Sequence, residues 1–271
     1  MDQYCLHEVP DKRCFEILCL ICVYIDCCVH NLVNRVKACL EIFPDLINTT
    51  SNEGINGLAI AASRGHSDLC DLLLTQDKID INFATARFPY NALMMSCCNG
   101  HAEITRKLIQ AGAELNIQNY LGETAANRAV FNDEMACIDV LAEYDDTDWN
   151  LTDEDGDSVT MIAIHKNLVE ILRRLTTIDS IDWNIRNNES ESTLTKALAH
   201  ENKDFIKIVL SVPTIVYDNG YLRRMKVYDK AVTECQKYLV ELSEVTENGS
   251  LESLVMFAID IGLENMAKFI G

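Results

Sequence analysis

Two short apolar segments separated by a polar turn recur along most of the chain. In one clear copy the first segment runs from Asn56 to Arg64, Gly65 interrupts the pattern, and the second segment runs from Ser67 to Leu74. Asn at a helix start accepts hydrogen bonds from backbone N–H groups that would otherwise lack a partner, and Gly ends helices because it tolerates positive φ. The pattern therefore predicts two short antiparallel helices followed by a connecting loop.

The pattern returns with a fixed period of 34 residues. Asparagine marks the end of each copy, and a residue with an oxygen-bearing side chain precedes each first helix. The asparagines are Asn48, Asn82, Asn116, Asn150 and Asn184, and the predicted N-cap residues are Asn56, Asn91, Thr124, Ser158 and Ser192. A period of about 20–50 residues indicates one supersecondary unit that is copied and stacked. The sequence therefore predicts a repeat protein.

Several positions agree, in register, with the ankyrin repeat. In the first clear copy they are Gly54, Leu58, Ala61, Ala62, Gly65, His66, Leu72 and Leu73, and in the second Leu93, Gly100, His101, Leu108, Ala111, Gly112, Ala113 and Asn116. The chain resembles the ankyrin-repeat family over about residues 30 to 218, although the Thr-Pro-Leu-His signature is never intact. The resemblance implies an all-α ankyrin-repeat solenoid of stacked antiparallel helix pairs joined by β-turn or hairpin loops.

The extent of the pattern predicts three parts within one continuous solenoid domain. Residues 1–50 are expected to form an N-terminal capping helix pair, and residues 51–218 about five ankyrin copies, the last degenerate. Residues 219–271 are expected to form a long atypical helix and a C-terminal capping pair, because terminal repeats usually deviate from the pattern. Glu16 and Asp26 keep the apolar first helix shorter than the roughly 20 residues that a membrane span needs.

Charge and cysteine content narrow the class of partner and the compartment. The chain carries 23 basic and 42 acidic residues, a net charge of −19, which repels phosphate backbones and disfavours nucleic acid as a partner. The 12 cysteines lie mostly in apolar helical runs, where free Cys acts as a small hydrophobe. These features favour a reducing compartment, cytoplasmic or nuclear. No membrane, metal or other cofactor is expected.

Two groups of residues have side chains suited to metal binding or nucleophilic chemistry. Cys19 and Cys22 lie near His30, but a structural zinc site needs converging ligands, and these are predicted to point to different faces of one helix. Cys98 near His101 superficially resembles a thiol–imidazole pair, yet His101 belongs to the Gly-His turn of the repeat. The sequence therefore predicts a protein that is not an enzyme.

The ankyrin resemblance also implies where a partner binds, because loops and first helices line a concave groove in that family. The residues carried over are Arg64, Arg87, Phe88, Tyr90, Tyr120, Phe131, Glu154, Asp155, Asp157, His165, Glu189 and Glu191. They are aromatic in copies two and three and mainly acidic in copies four and five. We expect a non-catalytic adaptor that binds a protein segment with an apolar anchor followed by basic residues. The alternative for Phe88 and Tyr90 is packing between neighbouring loops.

Two other functions remain open at this stage. One is an effector or enzyme-associated subunit whose activity or regulation resides in residues 219–249. The other is a self-associating protein that dimerises through Phe15, Leu18, Ile21 and Ile25 of the first helix. Burial of this apolar stripe against Leu32, Val36 and Leu40 would instead leave a monomer, which is the favoured expectation.

A modification is also implied by the resemblance. Ankyrin repeats with Leu eight residues before an acid–apolar–Asn ending resemble substrates of asparaginyl hydroxylase. Asn82 and Asn116 match best, with Leu74 and Leu108 at the corresponding positions. The alternative is that both asparagines only brace the loop.

Overall fold

The computed structural model describes residues 12–84, 89–200 and 202–215. Arg87 and Phe88 of the predicted groove lie outside these ranges, as do residues 219–271 with the predicted long helix and C-terminal cap. The predictions for these residues stay predictions.

The described chain folds into α-helices joined by loops. Twelve helices and one short 3₁₀ helix occur there, and no strand is formed in those residues. The helices are α1 (Lys12–Val29), α2 (Val33–Ile42), α3 (Gly57–Arg64), α4 (Ser67–Leu74), α5 (Ala92–Cys98), α6 (Ala102–Gln110), α7 (Ala125–Phe131), α8 (Met135–Leu141), α9 (Val159–His165), α10 (Val169–Leu175), α11 (Thr193–Ala199) and α12 (Lys203–Leu210), with the 3₁₀ helix at Pro44–Asn48. The predicted all-α fold class is confirmed.

The helices form two compact units, unit 1 up to Thr147 and unit 2 from Asp148. In unit 1 the first helices α1, α3, α5 and α7 pack side by side in chain order, and the second helices α2, α4, α6 and α8 form a second layer. In unit 2, α9 packs on α11 and α10 on α12. Each unit is therefore a stack of helix pairs with its apolar side chains between the layers, among them Leu58, Leu93 and Ile138 in unit 1.

The predicted N-cap residues begin the first helix of each copy. Four of the five accept a hydrogen bond from the backbone N–H three residues later, as Asn56 does from Ala59. Ser158 is the exception, since its side chain makes no cap hydrogen bond. Its hydroxyl lies 2.9 Å from that of Thr160, which lies 2.7 Å from the hydroxyl of Thr193 in the next copy. Ser158 thus bonds Thr160 instead of capping α9, and Thr160 makes the link to the next copy.

The turn between the two helices of a copy requires a left-handed backbone. The residues at this position are Gly65, Gly100, Asp133 and Asn167, with φ between 61° and 74°. At Gly65 a Cβ atom would lie 2.8 Å from Cε1 of His101, so only glycine fits there. Nε2 of His101 bonds the carbonyl of Ser63 at 3.1 Å. The Gly-His pair therefore joins one copy to the preceding one.

The periodic asparagines bridge neighbouring loops within each unit. Nδ2 of Asn48 donates to the carbonyl of Lys78 at 2.8 Å, and its Oδ1 accepts the N–H of Asp80 at 3.0 Å. The same pair of bonds links Asn150 to the carbonyl of Ser180 and the N–H of Asp182, at 2.9 and 2.7 Å. Asn116 and Asn184 also donate to a carbonyl 30 residues later. Asn48 and Asn150 thus each satisfy two backbone groups of the next loop with one side-chain amide.

The apolar first helix is partly covered by its neighbours. Tyr24 and Ile25 of α1 are buried, and so are Val36 and Leu40 of α2, whereas Ile21 is half-buried. The side chains of Phe15 and Leu18 lie outside the described part. Burial of Ile25 agrees with packing of α1 inside the fold, and dimerisation through this helix stays a prediction.

We expect Asn150→Ala to lower the free energy of unfolding. The substitution removes two hydrogen bonds, each contributing about 0.5–1.5 kcal/mol net after exchange with water, so a loss of about 1–3 kcal/mol is expected. Urea unfolding followed by far-UV circular dichroism measures it. Asn34→Ala on the exposed side of α2 is the matched control, and it should not destabilise because Ala favours helix more than Asn. Equal stability of the Asn150→Ala protein would contradict the bracing role.

Candidate interaction surfaces

A cation on the first helix of one copy contacts the loop of the preceding copy in both units. The cation stands four residues after the N-cap, at Arg128 in α7 and Lys196 in α11. It contacts the residue directly before the preceding N-cap, which is Tyr90 in unit 1 and Asp157 in unit 2. One position in the fold therefore carries a cation–aromatic contact in unit 1 and an ion pair in unit 2.

Arg128 organises an aromatic cluster in unit 1. Its Cζ lies 5.2 Å from the ring centroid of Tyr90 and 5.0 Å from that of Phe131. Its Nη1 donates to Oε1 of Glu123 at 2.9 Å, and both side chains of this pair are mostly buried. A desolvated cation over an aromatic face is stabilised by about 2 kcal/mol or more. Arg128 therefore holds two predicted site residues, Tyr90 and Phe131, in fixed positions.

Two aromatic side chains in this part of unit 1, Tyr120 and Phe131, are exposed to solvent. Tyr120 is 70% exposed and Phe131 40% exposed, whereas Tyr90 is half-buried. Burial, and secondarily the negative charge of Glu123, raises the pKa of the Tyr90 phenol. Tyr90 thus lies beneath Arg128 of the following copy, in keeping with the alternative of packing between loops, while Tyr120 and Phe131 expose apolar area to solvent. We call Tyr90, Tyr120 and Phe131, with Arg128, the aromatic surface.

The acidic residues predicted for unit 2 divide into two classes. Asp157 and Glu191 are paired with Lys196, whose Nζ lies 2.6 and 3.7 Å from their carboxylates, and their side chains are only 14% and 15% exposed. Their charge is offset within the fold. Glu154, Asp155 and Glu189 are exposed at the loop ends, as is His165 at the end of α9. We call Glu154, Asp155 and Glu189 the acidic loop tips.

The loops hold their shape through a polar side chain that sequence reasoning overlooked. Asn119 Oδ1 accepts the N–H groups of Leu121 and Glu123, both at 2.9 Å. Ser51, Asp153 and Asn187 accept from the same two loop positions in their own copies. These residues also lie at multiples of 34 residues from one another, so a search for a second polar position with the period of the repeat would have found them.

Arg128 and Lys196 were also missed. Both follow their N-cap by four residues, but the corresponding position in other copies is apolar, at Ile60, Met95 and Ile162. No sequence period marks them. Arg64, in contrast, is exposed near the end of α3, as a groove residue should be.

The cysteines behave as core residues or surface thiols. Burial raises the pKa of the Cys28 and Cys70 thiols to about 12, so these two stay protonated and unreactive at neutral pH. Sγ of Cys98 accepts from Nη2 of Arg128 at 3.2 Å, whereas His101 bonds the Ser63 carbonyl. His101 therefore has a structural role.

The first helix brings together fewer potential zinc ligands than its sequence suggests. Cys19 and Cys22 are exposed, Cys27 and Cys28 are buried, and His30 pairs with Asp26 at 3.3 Å. Across the described ranges, no three His, Cys, Asp or Glu side chains are grouped so that they could hold a metal ion. The same residues contain no helix of the length and hydropathy that crossing a membrane requires.

The two asparagines proposed for hydroxylation both take part in loop bridges. Nδ2 of Asn82 donates to Oε1 of Glu114, and its Oδ1 accepts the N–H of that residue, both at 3.0 Å. Asn116, which is exposed, donates to the carbonyl of Asp146 at 2.8 Å. The predicted bracing of the loop is therefore present at both residues.

Comparison with known proteins agrees with this architecture. A family profile described as "Ankyrin repeats (3 copies)" matches residues 21–119 and 58–153. The chain therefore belongs to the ankyrin-repeat family.

Three curated relatives share part of the chain. "Dauer abnormal formation protein 25" of Caenorhabditis elegans is 30% identical over 91 residues, covering 34% of this chain and 23% of that protein. "Probable E3 ubiquitin-protein ligase XBOS32" of Oryza sativa subsp. japonica is 32% identical over 115 residues, 41% of this chain and 23% of that protein. "E3 ubiquitin-protein ligase XBAT33" of Arabidopsis thaliana is 32% identical over 113 residues, 41% of this chain and 22% of that protein. The chain thus spans less than a quarter of the length of these relatives.

Two aspartates of the same loop should respond differently to neutralisation. Asp157→Asn removes one charge from the largely buried pair with Lys196 and should lower the free energy of unfolding by about 1–3 kcal/mol. Asp155→Asn, two residues earlier at an exposed position, should change it by no more than about 0.5 kcal/mol. Thermal and urea unfolding of both variants tests this expectation. Equal effects would show that the Asp157 ion pair contributes no stability.

Proposed function

We propose that the chain is a non-catalytic interaction module, an adaptor that binds a segment of a partner protein through the loops and first helices of its repeats. Membership of the ankyrin family supports protein binding in general. The aromatic surface of unit 1 supports the finer proposal, because Tyr120 and Phe131 are among the large apolar side chains left exposed. Exposed apolar area that is rimmed by polar groups is typical of interaction sites.

Pre-organisation adds to this argument. Arg128 contacts the Phe131 ring and is itself fixed by Glu123. A side chain that is already ordered loses little conformational entropy when a partner binds, so more of its burial free energy appears as affinity. Aromatic residues and Arg are also the residue types that dominate binding energy at interfaces.

The acidic loop tips of unit 2 form a second, separate contact surface in this proposal. Glu154, Asp155 and Glu189 are exposed, and the whole chain carries a net charge of −19. Exposed charges of one sign mainly accelerate association and impose a salt dependence. The partner proposed is therefore a protein segment with an apolar anchor and basic residues, and Asp157 and Glu191 are removed from the contact set because Lys196 pairs with them.

The second candidate is a subunit that serves a catalytic partner. Two relatives carry the name of E3 ubiquitin-protein ligases, and each match covers less than half of this chain. An assay of the isolated chain for ubiquitin transfer tests for an activity of its own, since transfer by the chain alone would contradict a purely non-catalytic adaptor. Stimulation of a catalytic partner's transfer when the chain is added would favour the second candidate. We expect the protein to act in the cytoplasm or nucleus, where free thiols persist.

Truncation of an exposed aromatic side chain tests the aromatic surface. Phe131→Ala should weaken binding of an affinity-purified partner about tenfold or more, mainly through faster dissociation, because the lost contact is short-range. Phe43→Ala is the matched control, since Phe43 is 43% exposed outside the proposed surface. Surface plasmon resonance measures both rate constants. If the two variants dissociate from the partner at the same rate, the proposed surface is wrong.

We also propose asparaginyl hydroxylation at Asn116 and Asn82. Because both amides take part in loop bridges, the loop must open before an enzyme reaches the side chain, and the exposed Asn116 should be modified to the greater extent. Peptide mass spectrometry of protein isolated from its native cells should show a gain of one oxygen atom at these residues. Asn48, an equivalent bridge without the acid two residues earlier, is the internal control. Unmodified Asn82 and Asn116 would contradict the proposal.

A further inference from the structure

An apolar cleft of about 220 Å³ opens on the first-helix side of unit 1, between α1, α3 and α5. Ile25 and Ile60 form its buried base, and Ile55 and Met95 contribute half-buried side chains. Glu53 and Arg64 stand exposed among its lining residues. Ile60 and Met95 occupy the helix position that holds Arg128 in the third copy, so the surface changes character from one copy to the next.

We infer that this cleft receives one bulky apolar side chain of a partner segment, with a neighbouring carboxylate of that segment paired to Arg64. The inference rests on the proposed function, which it makes more specific by adding an anchor site distinct from the aromatic surface. It also adds an acidic residue to the chemistry expected of the partner.

The size and lining of the cleft argue for a side chain as the occupant. Ligand pockets for small molecules usually have about 300–1,000 Å³ and a few converging polar groups, and this cleft is smaller. Both serines that line the cleft are engaged as acceptors: the hydroxyl of Ser51 accepts the N–H groups of Glu53 and Ile55 at 3.2 and 3.3 Å, and that of Ser63 accepts from Nδ2 of Asn99 at 3.4 Å. The aliphatic base therefore offers burial without a directed hydrogen bond, which suits Leu, Met or Phe.

Two charged residues line the cleft, Glu53 and Arg64, and the guanidinium of Arg64 is the group that can pair with a carboxylate of the partner. Arg64 is the only cation that lines the cleft, and it takes part in no ion pair of the described residues. Other cations of unit 1, such as Lys107 and Arg128, are paired with carboxylates. A guanidinium binds a carboxylate through two parallel hydrogen bonds, so a partner carboxylate beside the apolar anchor is the complementary group.

The test uses the full chain and a library of random peptides displayed on phage. Enriched peptides should share one bulky apolar residue with Asp or Glu nearby. Synthetic versions are then titrated by fluorescence anisotropy against the unaltered protein and against variants. Circular dichroism melting checks that every variant is folded.

The apolar contact is tested with a matched pair of methionines. Met95 in the cleft and Met135 on the second helix α8 are both half-buried. Met95→Gln should weaken the selected peptides about tenfold, as loss of an anchor contact typically does, and Met135→Gln should leave affinity unchanged. Ile55→Ser supplies a second cleft variant on a loop, should Met95→Gln fail to fold.

The charge contact is tested by exchange. Arg64→Glu should weaken peptides with a flanking carboxylate, and replacement of that carboxylate by Lys in the peptide should restore binding to the Arg64→Glu protein. Lys37→Glu changes the net charge equally at an exposed position on α2 and should have no such effect. If Arg64→Glu weakened binding only by destabilising the protein, the peptide with Lys in place of the carboxylate would not restore binding.

The outcomes separate this inference from the proposed function. Peptides whose affinity depends on Phe131 but not on Met95, Ile55 or Arg64 would overturn the cleft and keep the adaptor. A library that yields no binding peptide would overturn both. A monomer–dimer equilibrium in sedimentation that Met95→Gln abolishes would identify a second copy as the occupant and overturn the inference. Peptides that require the cleft and obey the charge exchange would support it.

Discussion

The fold of this protein depends on one side-chain amide per repeat that bridges two loops. An asparagine amide carries both a donor and an acceptor, so it can bond a carbonyl and an N–H group at once. Asn48 and Asn150 do so toward the following copy, at the carbonyl 30 residues later and the N–H 32 residues later. Loop backbone groups that lie outside helices need hydrogen-bond partners. Because this bridge supplies them, it sets the distance between consecutive loops and therefore the distance between the helices attached to those loops.

Fixed spacing brings chemically different residues to equivalent places. In two pairs of neighbouring copies the residue before an N-cap lies beside the fourth residue after the N-cap of the following copy, Tyr90 beside Arg128 and Asp157 beside Lys196. In unit 2 the cation pairs with the largely buried carboxylate of Asp157. In unit 1 the cation remains stacked on aromatic rings while Phe131 stays partly exposed. The same framework therefore supports a closed contact in one unit and an accessible apolar surface in the other.

The sequence was sufficient for the architecture because the architecture is periodic. Every copy supplies independent evidence for the same helix pair, so the errors at single residues, such as the absent cap bond of Ser158, do not change the fold. The candidate surfaces lack this redundancy. Asp157 and Glu191 were predicted as contact residues because the ankyrin resemblance carried them over as groove positions, but Lys196, which is 39 residues beyond Asp157, pairs with both. The ion pair becomes visible only when the position of each first helix relative to the loop of the preceding copy is known.

The departures from the repeat pattern explain where specificity can arise. Positions that hold the stack together, such as the asparagine bridges and the left-handed turn residues, have to keep their chemistry because backbone groups depend on them. The position four residues after the N-cap differs more between copies, since it holds Ile60, Met95 or Arg128. A change there alters the exposed surface without disturbing the bridges between loops. The asparagine bridges and this variable position are therefore separate columns of the repeat, and a partner bound as proposed would contact the variable column and leave the bridges in place.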